Sequence, residues 1–303
     1  MVPLPPAVSA IAARVSNLYG WAERNRKIAN RFTPGFEALQ RDLARRLAVK
    51  DTLDRVITAQ AQHILALERI YASLPKIDLT AITALIERWM PPNWPPEVDD
   101  RAIQKIVNDD GIPVVWVPPR EVLAQVLTAG DRETRVAILL ANQSALVEGC
   151  REVLGEVEHP VYAGQVPLAT AALDAFANGH LEAAQALAVA VTDTIVIHRH
   201  GRGYGRIARD VVVADIDDLR MAEFRVRLAM APVARFFTDY WPNRGKEPPT
   251  ALSRHVTVHF AHIDHYSREN ALIAVLLMTS ILRTFQDHRE VEEELSGSAE
   301  TVG

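Results

Sequence analysis

The chain has 303 residues, enough for one large domain or two ordinary ones, and its 49% hydrophobic and 23% charged residues are the balance of a globular protein. The formal charge of −5 traces to the end of the chain: residues 290–303 hold five acids and no base, and the rest carries 33 acids against 33 Lys plus Arg, which excludes an overall basic footprint for nucleic acid. A single cysteine, Cys150, excludes an internal disulfide and a cysteine-built zinc or iron–sulfur site within one chain. A reducing, cytoplasmic setting fits. The opening "MVPLPPAVSAIAARVSNLYGWAERN" lacks the basic head and continuous apolar core of a signal peptide. The most apolar run, "ALIAVLLMTSIL" (271–282), is too short for a bilayer that needs roughly 20 residues, so it reads as a core helix of a soluble protein without membrane contact.

Nearly every segment has helical periodicity, and no long alternating run demands a strand. Helices are predicted over about 4–30, 34–48, 51–74 and 78–89, before the prolines of "MPPNWPPEVDD" (90–100) remove donors and hold the chain extended. A proline-and-tryptophan connector packed on a helix accounts for that segment more cheaply than a ligand site. "DGIPVVWVPP" (110–119) is a short extended apolar piece, a candidate strand, and the chain turns helical after Pro119. Residues 131–157 read as one amphipathic helix with Asp131 as N-cap.

"HPVYAGQVP" (159–167) is the best candidate boundary. Beyond it two helices form an αα-hairpin, the first stopped by Asn178-Gly179 and the second, 180–199, apolar almost all the way round and so expected to be central and buried. The stretch "HRHGRGYGR" (198–206) follows, with three glycines and one aromatic; extended to Arg209 it carries four arginines. It reads as a solvated loop, or alternatively as an arm that contacts phosphates through Arg199, Arg202 and Arg206. A helix over 219–241, the histidine-rich segment, and a closing helix with Ser267 as N-cap complete the chain. The predicted architecture is all-α: a helical N-terminal region (1–158) of unknown role, a four- or five-helix bundle (159–290), and an acidic flexible tail (291–303).

The stretch "TALSRHVTVHFAHIDHYSREN" (250–270) holds four of the ten histidines, His255, His259, His262 and His265, beside Arg254. With Thr250 as N-cap, a helix places Leu252, Val256, Phe260 and Ile263 on a buried stripe and His255, His259 and His262 on a second stripe at its edge. At roughly 100° per residue, Arg254 lies about 140° from His259, with Ala251 and Val258 between them. A phosphate over that wedge would meet the arginine, the histidine and the N–H groups of the first helical turn. Two other readings stay open. Histidines at i and i+4 are a favoured zinc pair, although no glutamate follows His255 and Asp264 points elsewhere. The plainer one is a helix edge that is merely rich in histidine.

Arg254 and His259 have Arg-x4-His spacing with a polar residue after the arginine, and "LSRHVTVHF…YSRENALIAVLLMTSIL" resembles the signature of the HEPN superfamily. The resemblance covers about residues 165–290 and includes order: a buried hairpin, a further helix, the motif, then a long apolar helix. It implies a HEPN-like bundle of the kind found in prokaryotic toxins, phage-defence proteins and RNA-processing nucleases. It further implies metal-independent RNA cleavage with no cofactor, His259 as general acid or base on the ribose 2′-hydroxyl, Arg254 holding the scissile phosphate, His255 as a supporting contact, and a homodimer. Histidine's unperturbed pKa near 6.5 suits that proton transfer, and arginine binds phosphate bidentately. Asp193 interrupts the apolar "AVAVTDTIVI" and requires a partner there, either a structural arginine such as Arg199 or Arg254, or a functional one that it orients. The N-terminal half matches no catalytic motif and suits a protein partner. The rival reading is a non-catalytic module of the same fold that stabilises itself or binds a nucleotide phosphate.

Overall fold

The computed structural model describes residues 90–95, 98–201, 203–219, 221–245 and 247–300. The helices predicted before residue 90 and Arg202 lie outside them. All regular structure among the described residues is helical, as an all-α chain requires, and the candidate strand at 110–119 is not one. In chain order the α-helices are α1 (Asp100–Lys105), continued by a π turn to Asp110, α2 (Arg120–Thr128), α3 (Arg132–Ala141), α4 (Gln143–Gly155), α5 (Val166–Ala177), α6 (Leu181–His200), α7 (Tyr204–Asp210), α8 (Met221–Met230), α9 (Val233–Phe236), α10 (Arg254–His259) and α11 (Arg268–Glu300).

The centre of the fold is α11. Every residue from Asn270 to Leu282 is buried, which makes "ALIAVLLMTSIL" the core helix that its composition demands, each enclosed Leu or Ile contributing about 1.5–3 kcal/mol. Ser267 caps it, its Oγ accepting the Asn270 N–H at 3.1 Å, and the helix continues through 291–300 of the acidic tail. Around it pack α4, α5, α6 and α8. The α5–α6 hairpin forms as predicted, with Gly179 in the left-handed region (φ 80°) at the turn. The central position expected for α6 belongs to α11 instead. One side of α6, including Ala184, Ala188, Val191 and Ile195, is buried on α5 and α11, while Ala183, Ala186, Ala190 and Thr194 face solvent. Alanine is apolar enough to mimic a buried helix in sequence and small enough to cost little when exposed.

Three further expectations change. The helix at 131–157 breaks at Asn142, whose side-chain amide donates back to Ile138 O, giving α3 and α4; the Asp131 cap is as predicted, its Oδ1 accepting Thr134 N–H at 2.7 Å. The helix at 219–241 breaks at Pro232 into α8 and α9. The described residues belong to one compact unit, so the division expected at 158/159 falls inside it, with α4 against both α5 and α11.

The proline-rich segment is a buttress. Asn93 Nδ2 donates to the carbonyls of Val114 and Pro118, its Oδ1 accepts the Trp116 N–H, and Trp94 Nε1 donates to Val114 O at 2.8 Å. These bonds satisfy the backbone of the buried extended piece that no strand partners. Trp94 itself packs edge-on against Phe224 of α8.

Candidate functional site

The motif helix is shorter than its periodicity promises. Its N-cap is Ser253, not Thr250: Ser253 Oγ accepts the Val256 N–H at 3.4 Å and donates to Thr238 O at 3.0 Å. Upstream residues are held out of the helix because Asn270 Nδ2 donates to both Thr250 O and His265 O at 2.9 Å. At the other end α10 stops at His259, and Phe260 leaves the helical region (φ −138°, ψ 54°). The buried stripe therefore keeps Leu252 and Val256 but loses Ile263, which is 73% exposed. The wedge between Ala251 and Val258 does not form, since Ala251 lies before the helix and Val258 is exposed. Nor does a six-residue helix offer the anion site that was expected at its first turn.

The four histidines part company. His265 is buried: Nδ1 lies 3.1 Å from Pro249 O, and Nε2 accepts the Ser253 N–H at 3.4 Å. Both contacts suit the neutral Nδ1–H ring, and burial lowers its pKa from the ordinary 6.5. This histidine clamps the start of α10. Replacing it by Ala strands a buried N–H and C=O and is expected to cost about 1–3 kcal/mol in denaturant unfolding. In the wild type the unfolded chain takes up a proton at this ring before the native state does. Stability should therefore fall as pH drops from about 6.5 toward the lowered native value, and His265→Ala should flatten that slope. An equal slope in both proteins would show that other groups set it. His262 is exposed beside Asp264, 3.6 Å away.

His255 and His259 line one cavity of about 230 Å³ with Tyr204, Phe237, Asp239, Trp241 and Arg254. The 140° of helix between Arg254 and His259 is bridged within one chain, Arg254 Nη1 lying 2.8 Å from His259 Nε2. The long arginine side chain closes the gap that the axial angle suggests. Arg254 Nη2 donates to Asp193 Oδ2 at 3.0 Å and to Tyr204 OH at 2.8 Å, and the guanidinium lies over the Tyr204 ring, 4.4 Å from its centroid. Asp193 thus meets Arg254 rather than Arg199, at side-chain exposures of 14% for the arginine and 19% for the aspartate. Asp193 Oδ1 and Arg254 Nε have no hydrogen-bond partner although buried. The anchored Nη2 side leaves Nη1 facing the cavity.

His259 is exposed. Desolvation against the cavity wall first, then Arg254 and His255, push its pKa below the ordinary 6.5, with Asp193 opposing. The neutral ring prevails at neutral pH. His255 Nδ1 lies 3.3 Å from both the Tyr240 N–H and Asp239 Oδ1. One nitrogen serves one of them at a time: a ring protonated on Nε2 alone accepts from Tyr240, and a ring with a proton on Nδ1 donates to Asp239.

The arginine-rich stretch runs from the end of α6 into α7, and it delivers Tyr204, not Arg199 or Arg206, to the site. Arg206 is exposed, donating to His200 O at 3.3 Å. Arg199 turns to α11, with Nη2 3.3 Å from His288 Nδ1, and lines a separate cavity with Thr194, His198 and Arg289. Those α6 residues lie on the side of the helix away from Asp193. Sequence spacing missed Tyr204, Asp239 and Trp241; a lone aromatic inside a Gly/Arg stretch was the one available signal. Cys150 is buried with its thiol pushed up to about 12, which removes it as a nucleophile. Among the described residues, no three His, Cys, Asp or Glu side chains converge to hold a metal. No family model matches the chain, and neither a curated protein nor a solved structure matches it.

Proposed function

We propose that the protein is a metal-independent endoribonuclease of the toxin or phage-defence kind, with a HEPN-like domain and with Arg254 and His259 as the catalytic pair. The observation that supports it is the 2.8 Å contact between Arg254 Nη1 and an exposed His259 Nε2 at an open cavity. A scissile phosphate draws Nη1 into a charge-assisted bond and releases the Nε2 lone pair. That nitrogen takes the 2′-hydroxyl proton. The 2′-oxygen bonds to phosphorus, the P–O5′ bond breaks, and its electron pair leaves on O5′, which takes a proton from water in the open cavity. The products are a 2′,3′-cyclic phosphate and a 5′-hydroxyl. Asp193 and Tyr204 act as positioning residues that hold the guanidinium. Homodimerisation belongs to the same proposal.

The test is to incubate wild type and His259→Ala with total RNA in EDTA. Cleavage by the first and not the second supports the reading. Wild-type cleavage that disappears in EDTA points to a metal site instead. Because His259 works as the neutral base with a lowered pKa, kcat/KM should fall only as pH drops below about 6.5. An acid limb centred above that value contradicts its role.

The second reading is a non-catalytic module that stabilises itself or holds a nucleotide phosphate. It is favoured by the number of protein partners that Arg254 already has. Phosphate binding without cleavage in the same assay would select it.

A further inference from the structure

We propose that the cavity beside Arg254 and His259 contains a nucleobase subsite selective for guanine. The proposal rests on the phosphodiester reading of the same site for where the phosphate lies, and it adds the identity of the base.

The cavity has two unlike ends. Arg254 and His259 form one, suited to an anion. At the other, beyond His255, Trp241 supplies an apolar wall and Asp239 a carboxylate, while Phe237 packs on Tyr204, the ring beneath Arg254. Trp241 is 43% exposed, an unusual cost for an indole. Its ring is nonetheless held, edge-to-face with His255 at 4.7 Å (87°) and against Phe260 at 6.4 Å. A held, wet aromatic ring at a cavity mouth is a platform on which a base stacks, a contact worth about 1–3 kcal/mol.

Asp239 decides which base. Its side chain is 64% exposed, and His255 Nδ1, 3.3 Å from Oδ1, accepts from the Tyr240 N–H in the tautomer that carries its proton on Nε2, which leaves both carboxylate oxygens open to a ligand. A carboxylate only accepts hydrogen bonds. Guanine offers two adjacent donors, N1–H and the N2 amino group, that match its two oxygens. Adenine and cytosine pair one amino group with an acceptor lone pair that the carboxylate repels, and uracil flanks one N–H with two acceptors. The ends are also suitably spaced. Asp239 touches His255, and the His255 ring centroid lies 5.3 Å from that of His259, so one imidazole separates them. A base is parted from the phosphate of its own nucleotide by a comparable span.

The experiment is calorimetric titration of the purified full chain at neutral pH in EDTA with 3′-GMP, 3′-IMP (which lacks the N2 amino group) and 3′-UMP, repeated with Asp239→Asn and Trp241→Ala. The expected result is 3′-GMP binding about tenfold or more tighter than 3′-UMP, with 3′-IMP between them. Asp239→Asn should erase the ranking, and Trp241→Ala should weaken all three ligands together. No binding of 3′-GMP, equal affinities in the wild type, or an unchanged ranking in Asp239→Asn overturns the proposal. Selective 3′-GMP binding by a protein that cuts no RNA keeps the subsite and removes the nuclease reading. Cleavage with no base preference and equal nucleotide affinities does the reverse.

Discussion

His259→Ala should lower RNA cleavage by about 10²–10⁴-fold under single-turnover conditions, the usual loss when a general acid–base group is removed. Its melting temperature should stay close to wild type, because the ring is exposed and a surface substitution of this kind is worth within about 0.5 kcal/mol. The combination is diagnostic. An inactive but normally stable variant places the histidine in the chemistry, whereas an inactive and unstable one places it in the scaffold. Arg254→Ala is the poorer probe, since it leaves Asp193 and Tyr204 without their guanidinium and mixes folding with function. Arg254→Lys keeps a charge but loses the planar fork that bonds Asp193 and Tyr204 while reaching His259. Retained wild-type cleavage in His259→Ala would remove the histidine from the reaction.

The largest stability effect is expected outside that site. Arg135 of α3 is almost sealed from solvent with Asp110, at 4% and 7% side-chain exposure, and Nη1 lies 2.6 Å from Asp110 Oδ2. The same guanidinium donates from Nη2 to Ala129 O at 2.7 Å and from Nε to Val126 O at 3.3 Å. One side chain thus ties the π turn after α1 to the C-terminal end of α2. Arg135→Ala leaves a buried carboxylate and the Ala129 carbonyl without their partner, while Val126 O keeps the Ala129 N–H, and should cost about 3–5 kcal/mol, a drop of roughly 10 °C in melting temperature. Asp110→Leu combined with Arg135→Met should recover much of the loss, because an apolar pair of similar volume removes the charge that Arg135→Ala strands. A single variant that melts within 2 °C of wild type would mean that water reaches Asp110 and that the pair is a surface ornament.

Where the sequence speaks through local chemistry, the fold is legible. The Asp131 and Ser267 caps, the Asn178-Gly179 stop and the core run 271–282 are signals that need no knowledge of neighbours. What failed was set by tertiary contacts. Nothing in "LLANQSAL" announces the break at Asn142, which has neither Gly nor Pro. The end of α10 at His259 and its delayed start at Ser253 depend on His265 and Asn270, which reach back from the far end of the segment. The periodicity drew a longer helix because it saw the apolar spacing and not those anchors.

The candidate site divides the same way. Arg254 and His259 stand out by spacing, and Asp193 by being a carboxylate in an apolar helix; these three meet. Tyr204 was hidden because the stretch around it was read for its arginines, of which Arg199 turns elsewhere and Arg206 lies exposed. Asp239 and Trp241 were hidden because their relation to α10 runs through His255 and, for Trp241, also Phe260 at its end, contacts across 14 to 19 residues of mostly irregular chain. Convergence of α6, α7, the 237–241 segment and α10 on one cavity is a three-dimensional fact with no one-dimensional trace.

The central claim is that the Arg254 guanidinium and the His259 imidazole act on a single phosphodiester through the neighbouring ribose hydroxyl. The direct measurement is mass spectrometry of the ends produced from a defined oligoribonucleotide in EDTA, beside an analogue carrying one 2′-deoxy sugar at the cut. The account expects 2′,3′-cyclic phosphate and 5′-hydroxyl ends from the first, an intact bond at the deoxy position, and no such ends from His259→Ala. Cutting at the deoxy position, or ends bearing a 5′-phosphate, would contradict it.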